Sequence, residues 1–192
     1  MAASEATREL LEDDLHFVSN LVRQKKMDYA DLVVALVWAV VILVGFSIYD
    51  FSILGGSIFW CIALPVFGIG TGLYASRKQK ECGVIDRDLA RRSTFHWTSI
   101  PIFLVVTNFM FINRGYQPEL MGQAVLLVLA LNYYLAGVHF WRGFLWTGLA
   151  MASGIVWLAV WDGYPWTLTG ILTFLTLTGC TMREWRRNGT AA

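Results

Sequence analysis

The 192-residue sequence predicts an all-α polytopic membrane protein, with six transmembrane helices in three hairpins and a cytoplasmic amphipathic helix ahead of them. Three observations carry that expectation. Hydrophobic residues make up 56% of the chain and charged residues 15%, against roughly a quarter charged in a soluble domain. The charged residues are confined to the gaps between six long uncharged runs, and the basic ones fall almost entirely in alternate gaps. A mean hydropathy of +0.53 excludes a disordered chain, a disulfide scaffold and an ordinary water-soluble enzyme. A net charge of +1 leaves no basic excess for direct nucleic-acid binding.

Residues 1–29 are read as the cytoplasmic helix. Ser4 is a suitable cap, and a helix to about Met27 carries Leu11, Leu15, Val18 and Val22 at spacings of 4, 3 and 4, with Phe17 beside them. Glu5, Glu9, Glu12, Asp13 and Asp14 lie early, and Arg23, Lys25 and Lys26 at its end, which complements the helix dipole and sets cations beside anionic headgroups. Something must cover so wide a stripe. The candidates are the bilayer surface, a second copy of the chain, the inner loop or a soluble partner.

Residues 30–182 form the transmembrane domain, with spans at about 32–49, 51–76, 95–113, 120–140, 144–161 and 164–182. The uncharged runs behind them are 18, 26, 21, 22, 19 and 20 residues long. About 20 apolar residues cross a hydrocarbon core of about 30 Å, and a helix satisfies its own backbone there. Only Arg142 interrupts the fourth and fifth runs, so a turn is placed near His139-Phe140-Trp141-Arg142-Gly143, with a re-entrant pair as the alternative. Pro165 suits the first turn of the sixth helix. Residues 183–192 are a basic cytoplasmic tail.

Charge bias fixes the count. With six spans, 14 of the 15 basic residues lie on one side and only Arg114 on the other. Positive charge stays cytoplasmic, so both termini are expected inside, in an inner (plasma) membrane. The inner loop from Arg77 to Thr94 mixes six basic with three acidic residues around Val84, Ile85 and Leu89. The outer connections are short and aromatic, leaving no room for an external domain.

Chemistry is sparse. His16, His96 and His139 are far apart and make no paired-histidine motif for a metal, and no cofactor is expected. Ser153 has no base within its helix, and no Asp, Glu, Lys or Arg lies within a span. Cys61, Cys82 and Cys180 require no disulfide. Asn132 and His139, seven apart on the fourth span with Arg142 near, form either a small polar pocket or an interhelical hydrogen-bonding face. Thr169, Thr173, Thr176 and Cys180 read as a packing face, and Gly68 and Gly72 as a point of close helix approach.

At Leu11-Glu12-Asp13-Asp14-Leu15-His16-Phe17-Val18, followed by a basic stretch and then spans, the chain resembles a group of small bacterial six-span membrane proteins. These begin with an acidic Asp-Leu-x-Phe helix and are often encoded beside winged-helix transcription regulators. Gln24 to Ala30 stands where that group carries a glycine-rich approach. The resemblance implies a regulatory membrane partner and transfers no catalytic residue. The expectation is therefore a non-enzymatic sensor, anchor or regulatory partner acting through Leu11, Leu15, Phe17, Val18 and Val22 and the inner loop. The alternative is a small permease or channel using the polar face around Asn132 and His139.

Overall fold

The structure is a computed structural model, and it describes residues 29–81, 87–115 and 117–189. Among them are six helices and no strand: α1 (Tyr29–Phe51), α2 (Ile53–Glu81), α3 (Arg87–Arg114), α4 (Pro118–His139), α5 (Arg142–Val160) and α6 (Pro165–Gly189). The proposed amphipathic helix with Leu11, Leu15, Phe17, Val18 and Val22 lies outside the described residues, as do Cys82, Val84, Ile85 and Tyr116.

Among the described residues, five helices are long and apolar enough to cross a membrane, over Leu32–Phe51, Ile53–Lys78, Arg91–Phe111, Glu119–His139 and Arg142–Val160. The sixth is as long but carries Thr167, Thr169, Thr173, Thr176, Thr178 and Thr181, which lower its apolarity. Large apolar side chains such as Ile62, Val66, Ile69, Val105, Phe109 and Leu175 are exposed, the distribution expected where hydrocarbon is the solvent.

Local chemistry explains each turn. Ser52 alone separates α1 from α2; its backbone N–H still donates to Ile48 (2.8 Å) while its hydroxyl accepts from Gly55 N–H (3.0 Å), capping α2. α3 ends at Gly115, whose φ of +67° suits a residue without Cβ. Gln117 is extended because Pro118 follows it. Phe140 and Trp141 break the long fourth-to-fifth run where the sequence placed a turn, and both of their N–H groups reach back to Ala136 O. Pro165 opens α6, as expected of it.

The inner loop read over Arg77–Thr94 is shorter than expected. α2 continues to Glu81 and α3 begins at Arg87, so the helices extend past the apolar runs, with Lys78 and Lys80 in the last turn of one and Asp88 in the first turn of the other. Likewise the segment expected as a tail from 183 is helical to Gly189. In both places the sequence stays helix-compatible where only its polarity changes.

The helices pack as α1 on α2 and α6, α5 on α4 and α6, and α3 on α4. Trp38 meets Thr71, Gly45 meets Trp60 and Gly56 meets Tyr49, so α1 and α2 run antiparallel. Asp50 meets Thr167, Gly170 meets Leu43, and Leu177 packs with Ala35 and Ala39, which sets α6 antiparallel to α1. The core is formed by Ile42, Phe46, Ile100, Leu104, Leu126, Leu129, Tyr133 and Met151, with Trp60 and Leu64 of α2 against it. Only 11% of the α2 and α3 spans is buried against 44% of α4, so these two helices are peripheral.

Candidate functional site

One polar contact between helices lies where α3 crosses α4. Asn132 is buried on α4, and its Nδ2 donates to Val128 O one turn back (2.9 Å). Its Oδ1 faces the Ser99 hydroxyl of α3 at 3.3 Å. That hydroxyl has one proton, and the His96 carbonyl oxygen at 2.6 Å is the closer acceptor, so the contact across the helices is the weaker of the two.

His96 sits one turn before Ser99 on α3. Its ring is edge-on to Trp97 (centroids 5.2 Å apart) and to Phe140 (5.3 Å). Trp97 packs in turn on Tyr133 and Phe144, and Phe144 on Trp141. His96 Nε2 is buried and has no hydrogen-bond partner among the described residues. The result is an aromatic wall that encloses the imidazole of His96.

Asn132, His139 and Arg142, read either as a small polar pocket or as an interhelical hydrogen-bonding face, lie in different settings. Asn132 is buried, whereas His139 and Arg142 are exposed. The seven-residue spacing does place Asn132 and His139 on one side of α4, but His139 is the last residue of that helix, two turns beyond Asn132, and Arg142 opens the next helix. The partners of Asn132 come instead from α3. His96 and Ser99 share a helix face at a spacing of three, a signal present in the sequence but unreadable until α4 is set opposite.

The close approach expected at Gly68 and Gly72 is not made among the described residues: a Cβ at either position would meet nothing there within 4 Å. Helices approach closely elsewhere. A Cβ at Gly137 would run into the Leu145 backbone, one at Gly148 into the backbone of Ala130 and Tyr134, and one at Gly154 into Thr169. These contacts bring α4, α5 and α6 together, and their trace in the sequence is the small-residue series Gly143, Thr147, Ala150 and Gly154. On α6 the packing stripe is Thr169, Thr173, Leu177 and Thr181, all buried, while Thr176 and Cys180 are only partly so. Thr169 donates to Pro165 O (2.7 Å), the back-bonding expected of threonine in an apolar helix.

Grooves open on the outer surface of the described residues, two of them near the features above. One, of about 260 Å³, lies between α1 and α2, lined by valines, Phe67, Gly70 and Tyr74 around the bond from Trp38 Nε1–H to Thr71 (3.2 Å). The other lies at the end of α6 among arginines. Among the described residues no three His, Cys, Asp or Glu side chains come together as a metal site, and Cys61 and Cys180 are free thiols. No family model, no curated protein and no solved structure matches the chain.

Proposed function

We propose that the protein is a six-span inner-membrane protein of three helical hairpins, with both termini cytoplasmic. It is a non-enzymatic sensor, anchor or regulatory partner that acts through its N-terminal helix and inner loop. The antiparallel packing supports the topology, because it gathers the end of α2, the start of α3, the end of α4, the start of α5 and the end of α6 on one side. Those ends carry Arg77, Lys78, Lys80, Arg91, Arg92, Arg142, Arg183, Arg186 and Arg187, and the opposite ends carry Arg114.

The observation that carries the functional reading is how the interior polar groups are used. Asn132, Thr147 and Thr169 bond to carbonyls of their own helices, and His139 and Arg142, on which a permease through this face would depend, are exposed. Groups bonded in this way are spent on the local structure of their own helices. The surfaces left to make contacts are the cytoplasmic segments and the bilayer-facing helices, and a lipophilic signal would reach the protein from the hydrocarbon, where the α1–α2 groove opens.

The test is crosslinking in intact membranes, comparing the full chain with one lacking residues 1–26. A soluble partner recovered only with the full chain is the expected result. An identical partner set from both overturns the reading, as does a solute flux in reconstituted vesicles that His139→Ala abolishes.

A further inference from the structure

The last turns of α6 combine three features on one helix face. Gly179, Met182, Arg183, Arg186 and Arg187 line an open pocket of about 380 Å³. Their spacing of three, one, three and one keeps them on the same side of the helix. At the floor, Gly179 contributes no side chain, and a Cβ there would meet nothing within 4 Å. One and two turns back on this face, Leu175 and Leu172 are exposed. The face thus reads, in order, as an apolar strip, a notch and three guanidiniums.

We infer that this face is a binding site for one anionic phospholipid, its phosphate held by Arg183, Arg186 and Arg187 and an acyl chain laid over Gly179 along Leu175 and Leu172. The inference rests on the membrane reading above and adds a ligand to it. Guanidinium forks match phosphate oxygens in pairs, which a diffuse basic surface does not do. Cations at this end also oppose the partial negative charge of the helix C-terminus, so the arginines have a second reason to be there. The two roles separate at Gly179: dipole compensation and the cytoplasmic charge bias are indifferent to a side chain at that position, whereas a seated lipid is not.

The experiment is native mass spectrometry of the full chain in mild detergent, titrated in parallel with phosphatidylglycerol and with phosphatidylcholine. One phosphatidylglycerol is expected to be retained in preference to phosphatidylcholine, with affinity falling roughly fivefold for each arginine replaced by glutamine. Gly179→Leu keeps every charge, fills only open space, and is expected to remove the preference; Arg91→Gln with Arg92→Gln is expected to leave it intact. Equal retention of the two lipids overturns the site. So does an unchanged preference in Gly179→Leu, an equal loss in the Arg91/Arg92 variant, or displacement of the lipid by inorganic phosphate alone. Carbonate extraction of the same membranes separates the failures: a chain stripped from the bilayer sinks the membrane reading, and a chain retained without lipid preference sinks this inference alone.

Discussion

The carboxylate of Asp50, at the end of α1, accepts the backbone N–H of Thr167 at 2.6 Å and that of Trp166 at 3.2 Å, capping a helix that begins 115 residues later. Proline at the first position of α6 has no N–H to offer, so the next two amides are the ones in need of an acceptor. The indole of Trp166 completes the joint, packing on Phe46 and Tyr49. A cap supplied by another helix does two things: it satisfies donors at the helix start, and it fixes the height of α6 against α1.

Asp50→Ala should therefore destabilise the bundle by about 1 kcal/mol, in the range of ordinary cap losses. Asp50→Asn, which keeps an acceptor, should cost less. Thermal unfolding in detergent checks this, with Asp162→Ala as the control because Asp162 is exposed and precedes the same helix. Equal melting of the Asp50→Ala and Asp162→Ala variants would show that the cap carries no stability.

Glycine substitutions should split into two classes. Gly137→Ala and Gly148→Ala place a methyl group against a backbone that cannot turn aside, and about 1–3 kcal/mol of overpacking is expected, or failure to fold. Gly68→Ala and Gly72→Ala meet open space and should gain slightly from helix propensity. Melting temperatures and monodispersity in detergent decide it. If Gly68→Ala proved as damaging as Gly137→Ala, a contact beyond the described residues would have to account for it.

What the sequence made legible was medium and punctuation. Charge-free runs gave the helices, Pro165 gave the start of the last one, and the crowding of two spans around Arg142 gave the turn at Phe140-Trp141. Relations between distant residues stayed hidden. Nothing local ties Asp50 to Thr167, and the value of Gly137 depends on the backbone of Leu145 lying opposite. The partner of Asn132 stayed hidden for the same reason: His139 shares a helix with it, but the contact between helices comes from Ser99 of α3. Gly68 and Gly72 have the spacing of a packing motif, yet spacing does not say which face of α2 looks inward.

The α3–α4 seam should be weak. The Ser99 proton is held mainly by the His96 carbonyl, so Ser99→Ala is expected to cost under about 1 kcal/mol, and its coupling to Asn132→Ala in a double-mutant cycle should fall near the 0.6 kcal/mol average for membrane helices. Asn132→Ala alone should cost somewhat more, through the space it leaves beneath α3. Coupling of several kcal/mol would mean the seam is a strongly bonded network, contrary to its 3.3 Å contact.

Topology gives the sharpest prediction, because it follows from helix direction and charge together. Asp162 is exposed between Trp161 and Tyr164, in the connection opposite the arginine-rich end of α6. With Cys61, Cys82 and Cys180 replaced by serine, Asp162→Cys should react with a membrane-impermeant maleimide on intact cells. Arg186→Cys should react only after permeabilisation, since the proposed topology puts the arginine cluster on the cytoplasmic side. The order of the two reactions carries the result: were Arg186→Cys labelled first, the bundle would be inserted the other way up, and the regulatory contact proposed for residues 1–29 would have no cytoplasmic partner to meet.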